Sequence, residues 1–209
     1  MNVPTRLITR ISPKLNKSEL ILSIILLDIC KEPECKIGKA DIYKHPIMTS
    51  TIQDHFLVVS KQLVCKKIIC DKYHDKAEEK YVLFEEITRD GLVYNIKFNK
   101  ETFNMLKRGG STTVDETIFS IFTALSELRL VLWLHTWFFE ETERQIETKL
   151  LKTYLNKPIS TKELNDVYIN PILTKFMKMG LLVNVEKIYD KNDNRYITSF
   201  LFKTPQKRG

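Results

Sequence analysis

Little in this 209-residue chain is built to interrupt a fold. Its 6 Gly and 7 Pro leave little room for low-complexity linkers. The longest apolar run, Leu20 to Cys30, is broken by Ser23 and Asp28; it is too short to span a bilayer and reads as a buried helix. The start, Met1-Asn-Val-Pro-Thr-Arg6, lacks the basic-then-apolar layout of a signal peptide, so a cytoplasmic protein with no membrane association is expected. There is no Gly-rich phosphate loop, and His45, His55, His74 and His135 are scattered outside any nucleophile or metal motif. Neither an enzyme nor a cofactor is expected.

Cysteine is scarce as well: Cys30 and Cys35, then Cys65 and Cys70. A disulfide framework is not expected in a cytosolic chain of this size. A four-cysteine zinc site is one reading, although four intervening residues is a loose spacing and an offset of five along a strand sends Cys65 and Cys70 to opposite faces. Free, mostly buried thiols are the other.

What is present is a folded-protein composition, 43% hydrophobic and 28% charged, with a net charge of +7. From Lys149 to Gly209 there are 12 Lys and Arg against 5 Asp and Glu, and from Met1 to Thr148 there are 21 of each. The whole excess therefore falls in the last third, which points to a polyanion partner, most simply duplex DNA.

Periodicity predicts a helix over Lys17–Lys31 capped by Asn16 or Ser18, a short helix over Gly38–His45 stopped at Pro46, and a longer one over Thr49–Val64. Strands follow at Lys66–Lys72, Tyr81–Thr88 and Leu92–Phe98, the last two joined by the turn Asp90-Gly91, and then a short helix at Lys100–Leu106. Lys107-Arg-Gly-Gly-Ser-Thr-Thr113 reads as the domain boundary. A long apolar helix is expected from Asp115 to about Phe139, buried between domains or at a dimer contact, and another over Glu147–Leu155. Ser160 to Met179 reads as a helix stopped by Gly180, with two strands around Asp190-Lys-Asn-Asp-Asn194. Helix, short helix, helix and hairpin thus occur twice. The expected fold class is α+β: two tandem winged helices, residues 1–110 and 111–209.

On the helix from Thr161 to Met179, Leu164, Tyr168, Ile172, Phe176 and Met179 fall on one face, and Asn170, Thr174 and Lys178 on the opposite one. Asn, Thr and Lys suit base edges and phosphates in a major groove, and Lys175 lies beside them. A solvated amphipathic helix would show the same spacing. Lys187, Lys191, Asn192, Asn194 and Arg195 cluster at the hairpin, where a wing touches phosphate or minor groove. Pro171 should kink the helix. The face of Thr49–Leu63 bearing Thr49, Ser50, Gln53, Asp54 and Lys61 is polar but not basic. Asp71, Glu78, Glu79, Glu85 and Glu86 raise a metal-dependent nuclease, but adjacent Glu85 and Glu86 point to opposite faces of a strand and a solvated hairpin is favoured.

This layout resembles the replication initiator proteins of iteron-bearing plasmids, which carry two tandem winged helices. Leu15-Asn-Lys-Ser-Glu-Leu-Ile-Leu22 is similar to that family's opening helix, and Val59-Ser-Lys-Gln-Leu-Val-Cys-Lys-Lys-Ile68 to its first recognition helix running into the wing. Leu92–Leu106 resembles the strand and helix that close its first domain, and Phe122–Leu134 the long helix that opens the second. Asn170-Pro-Ile-Leu-Thr-Lys-Phe176 resembles its Pro-containing recognition helix, and Arg195–Phe202 its last strand. The resemblance implies origin recognition: a second domain that reads repeated double-stranded sites, a first that adds backbone contacts and dimerisation, a homodimer in at least one state, and host replication proteins as further partners. A dimeric winged-helix transcription regulator is the alternative, and a protein-binding adaptor a third reading.

Overall fold

A computed structural model describes residues 1–71, 78–136, 143–155, 159–178, 184–192 and 196–203, with the side chains of residues 70, 71, 78 and 79 set aside. The chain is mixed helix and sheet and forms two compact units, Met1–Ser120 and Ile121–Gly209. The expected boundary at residues 107–113 therefore falls inside the first unit.

In the first unit, β1 (Asn2–Pro4) leads through a wide helical turn at Leu7–Ile11 to α1 (Lys17–Ile29). α1 starts where Asn16 predicts. The Asn16 side chain accepts from the Glu19 N–H at 2.9 Å, and Glu19 accepts from the Asn16 N–H at 2.8 Å. The same Glu19 carboxylate, only 3% exposed, takes Lys66 Nζ at 2.6 and 2.7 Å. One buried acid thereby satisfies the helix start and pins it to the segment before the third strand. Leu20 to Leu27 are buried all round, as a central helix requires.

Next come β2 (Glu34–Gly38), α2 (Lys39–Tyr43), α3 (Ser50–Asp54) and α4 (Phe56–Leu63). The single helix expected over Thr49–Val64 is two, bent at His55, while Ile52, Phe56, Val59 and Leu63 keep an unbroken inward spacing. Periodicity alone cannot see such a bend. Gln53 and Tyr43 exchange side chain-to-backbone bonds at 3.1 Å, so Gln53 of the polar face ties α3 to α2.

β3 (Lys67–Asp71) and β4 (Glu78–Val82) form their own antiparallel ribbon, and β5 (Phe84–Asp90) and β6 (Val93–Phe98) form a hairpin in another sheet. The strand expected over Tyr81–Thr88 is therefore split at Leu83 between two sheets. Asp90-Gly91 turns as expected, with Gly91 at φ 59°. The sheet order β2-β6-β5 puts the last strand in the middle, with Tyr94, Ile96 and Phe98 facing the core. β2, short and mostly polar, carries too little alternation to be read from sequence.

α5 (Lys100–Arg108) is capped by Asn99, which accepts from the Thr102 N–H at 3.0 Å, and leads to β7 (Ser111–Thr113). β7 pairs antiparallel with β1, and Thr5 N–H donates to Gly110 O at 3.1 Å. The two glycines that read as a linker instead serve backbone shape. Gly110 sits at φ 78°, and a Cβ on Gly109 would lie 2.7 Å from Arg6 Cδ.

The cysteines also depart from expectation. Cys30 and Cys35 are bonded to each other, because the chain reverses from the end of α1 through Pro33 into β2 and brings their Cα atoms to 6.3 Å. Neither is then a free thiol or a zinc thiolate. Cys65 is free but exposed, at φ 57°, and the Cys70 side chain lies outside the described residues. Among the described residues no three His, Cys, Asp or Glu gather as for a metal ion.

The helix expected over Asp115–Phe139 is two, α6 (Ile118–Ile121) and α7 (Leu125–His135); Trp137, Phe138 and Phe139 lie outside the described residues. The second unit continues with β8 (Glu143–Glu147), α8 (Thr148–Leu155), α9 (Thr161–Glu163), a wide helical stretch at Leu164–Ile169, α10 (Asn170–Lys178), β9 (Asn184–Tyr189) and β10 (Ile197–Lys203). Its sheet order is β8-β10-β9, so here too the last strand is central. Phe200 and Phe202 point inward, and Trp133 stacks on Tyr154 with ring centres 4.6 Å apart. Both units thus run helix, edge strand, helices and strand pair, the first unit inserting the β3–β4 ribbon. Among the described residues no helix is long and apolar enough to cross a membrane.

The β1–β7 pairing makes a direct prediction. Trypsin acting on the folded chain should cut slowly after Lys107 and Arg108, because Lys107 is held by its bond to Leu27 O at 2.8 Å and the following backbone is paired. Peptide mapping over time checks this, and early cleavage at that segment would refute the pairing.

Burial and the neighbouring Tyr43 push the Tyr94 phenol up to about 12 from its usual 10. The unfolded chain loses this proton near pH 10 and the native chain holds it to about 12, so stability should fall as pH rises between the two. Urea unfolding followed across that window should show less pH dependence in Tyr94→Phe; an unchanged dependence would remove Tyr94 as its source.

Candidate nucleic-acid interface

α9, the stretch after it and α10 form one continuous helical run whose start is capped as its sequence predicts. Ser160 Oγ accepts from the Glu163 N–H at 3.1 Å. The kink expected at Pro171 takes a specific form. Proline has no N–H, and its ring presses on the carbonyl four residues back, that of Val167. Residues Leu164–Ile169 are wound as a π-helix, and the Asn170 N–H reaches Asn165 O, five residues back, at the point where ordinary winding resumes. The wide turn accommodates the proline and sets the rotation of all that follows.

That rotation divides the side chains as periodicity predicts. Leu164, Tyr168, Ile172 and Phe176 are buried, and Phe176 meets Phe122 edge-on at 5.7 Å. Met179 lies outside the described residues. Asn170, Thr174 and Lys178 are exposed along one line. Thr174 Oγ1 donates to Asn170 O at 3.1 Å, which turns the hydroxyl back to its own helix.

Lys175 is placed differently from its neighbours. Its ammonium bonds the Glu127 carboxylate on the first turn of α7 and sits 5.4 Å over the Phe122 ring. It is an internal partner rather than an open cation.

On the β9–β10 pair, Lys187 is exposed on β9, opposite Phe200. Lys191 and Asn192 are exposed in the turn, where the Asn192 N–H donates to Asp190 Oδ1 at 2.7 Å and the Asp190 N–H to Tyr196 O at 2.8 Å. Asn194 and Arg195 lie outside the described residues. Lys203 on the central strand is occupied by Glu186 at 2.7 Å and Glu143 at 3.8 Å, and the hydrogen bond to Glu186 raises its pKa. Inspection of charge alone overlooks two residues: Tyr189, 44% exposed, and Tyr196, 64% exposed, flank the same turn. Their position on either side of a polar turn was visible in the sequence.

Charge is distributed less simply than a terminal count implies. Met1–Ser120 holds 19 Lys and Arg against 16 Asp and Glu, and Ile121–Gly209 holds 14 against 10, so the units carry +3 and +4. Within the second unit, residues 121–148 have 2 basic against 5 acidic residues and residues 149–209 have 12 against 5. The asymmetry lies inside that unit, between its opening helix and strand and its helix-and-hairpin half.

On the outward face of α4 in the first unit, Leu57 and Val58 are 47% and 54% exposed, beside Lys61 and Gln62. Glu85 and Glu86 are both exposed around a bulge in β5; Glu85 pairs with Lys97 at 3.4 Å, and Glu86 stands opposite Lys97 in register. The bulge undoes the strict alternation expected for that pair.

No family model and no curated protein matches the sequence. The fold does match: domains 2 and 3 of RctB, known from a crystal structure of selenomethionine derivatives, superpose with a TM-score of 0.54 over 90% of this chain and 80% of that one, at 9% identity.

The face assignment is checked by stability. Phe176→Ala should cost about 3–5 kcal/mol in urea unfolding, whereas Asn170→Ala and Lys178→Ala should stay within about 0.5 kcal/mol of wild type. A cost for Lys178→Ala near that of Phe176→Ala would mean that the outward face is not free.

Proposed function

We propose that this chain is a sequence-specific duplex-DNA-binding protein of the replication-initiator type, built from two winged helices, with α10 as the reading helix and the β9–β10 hairpin as the wing of the second. Two observations support the proposal: both units repeat the same order of helix, strand, helices and strand pair with the last strand of the sheet central, and the chain shares its fold with domains 2 and 3 of RctB, a replication initiator. A regulator would usually need one reading unit per chain, so the repeat favours the initiator. No catalytic step is assigned to it. A homodimer in at least one state, host replication proteins as partners and a cytoplasmic location belong to the same proposal.

The roles divide by chemistry. Asn170 offers the donor–acceptor pair that reads adenine in a major groove, and the Thr174 methyl suits the thymine methyl. Lys178 suits a phosphate at the groove edge, and Lys187 and Lys191 suit the backbone beside the wing. Arg195 and Asn194 join them on sequence grounds alone. The first unit is the weaker candidate for base reading, since α4 presents Leu57 and Val58 outward where a base reader needs hydrogen-bonding groups.

Binding to duplex DNA should weaken steeply with salt. About four to six neutralised phosphates imply a slope of log K against log salt near −4 to −5. A flat response, or no binding at low salt, defeats the proposal.

On a duplex selected for tight binding, Asn170→Ala should cost about 1–3 kcal/mol, and much less on random duplex. Lys191→Ala should weaken both equally and reduce the slope by about one. Equal losses on both duplexes for Asn170→Ala would remove it as a base reader.

A further inference from the structure

We propose that Glu127 acts as an internal counter-ion that withholds Lys175 from DNA and so limits the sequence-independent grip of the second unit. The inference rests on α10 meeting DNA, as proposed above.

Lys175 follows Thr174 and precedes Lys178 by less than one turn, so its stem leaves α10 at the margin of the outward face. A lysine there ordinarily extends its flexible stem along the helix and presents the ammonium to solvent or phosphate. Here the side chain is 28% exposed and bends inward to a Glu127 carboxylate that is 13% exposed. The ammonium also lies 5.4 Å over Phe122, whose ring packs edge-on against Phe176 of α10. Carboxylate and ring together hold one positive charge at the base of the reading helix.

The consequence follows from how phosphate contacts act. Each lysine that neutralises a phosphate adds affinity for any sequence and about one unit of salt slope. A lysine already neutralised by a carboxylate adds neither. Glu127 is thus a positioning residue, acting through Lys175 and touching no DNA itself. Removing its charge frees a cation one residue from the base-reading line.

The test uses the full chain and a pool of random-sequence duplexes of about 30 base pairs, titrated across a salt series. Glu127→Gln is expected to bind about five- to tenfold tighter at low salt, with a slope steeper by about one. Lys175→Met is expected to keep the wild-type slope. The double variant should match Lys175→Met, because the gain passes through the freed lysine. Three results overturn the inference: Glu127→Gln no tighter than wild type; a gain that persists in the double variant, which would be simple loss of surface acid; or a flatter slope in Lys175→Met, which would mean that the lysine already touches phosphate. Thermal melts accompany each variant, and Lys175→Gln replaces Lys175→Met if the latter does not fold. If the wild-type chain fails to bind duplex at any salt, the proposed function falls. The inference, which rests on that binding, then falls with it, whereas failure of the Glu127→Gln gain in a chain that does bind overturns the inference alone.

Discussion

The burial of Ile172 and Phe176 is the constraint on which the candidate interface depends. Once these two side chains and Leu164 and Tyr168 are committed inward, the helical period leaves Asn170, Thr174 and Lys178 no direction but outward. Phe176 then fixes more than its own helix. It meets Phe122 edge-on, and Phe122 lies under the Lys175 ammonium that Glu127 holds. Packing and charge are coupled at one place, so the geometry of the outward face of α10 is set by apolar contacts and its electrostatic content by the ion pair beside them.

Pro171 shows how a local rule acts through its surroundings. Proline forbids one backbone bond wherever it falls inside a helix beyond the first turn. An abrupt break would have severed α10 from its cap at Ser160. The π-winding before it instead passes the bond from a four-residue to a five-residue span and keeps the run continuous. The wide turn rotates Asn170 relative to everything before it, so a helical wheel drawn straight through from Thr161 is correct for α10 and approximate before it.

What the sequence made legible follows the same logic. Elements with strong internal signals were plain: α1 with its Asn16–Glu19 cap, the Asp90-Gly91 hairpin, the amphipathic faces of α4 and α10. Elements whose existence depends on a distant partner were not. β1 and β7 are three residues each and pair across the length of the first unit, and β2 and β8 are polar edge strands of five residues that pair only with the last strand of their sheet. Nothing in Ser111-Thr-Thr113 announces a strand, and Gly109-Gly110 announced a linker, because neither segment contains Asn2–Pro4. For the site, exposure was predictable from spacing, but the commitment of Lys175 to Glu127 was not, since the two lie 48 positions apart. The pairing of Cys30 with Cys35 was missed for a different reason, an assumption about compartment rather than about geometry.

Charge is divided almost evenly between the two units. Each unit has only a small positive excess, and a field of that size does not by itself select a nucleic acid over another polyanion. The second unit separates its charges internally, with acidic residues toward its opening helix and strand and basic ones toward its helix and hairpin. Such a separation orients a molecule on a polyanion even when the sum is near neutral. It also gives each carboxylate a location that matters. Glu186 and Glu143 take up Lys203 on the sheet, and Glu127 takes up Lys175 on the helix. Among the described residues of this half, Lys149, Lys162, Lys178, Lys187 and Lys191 are exposed. Counting lysines overstates the grip of such a surface. Charge contacts of this kind do not discriminate sequence, so under the proposed function the choice of site falls to Asn170 and Thr174.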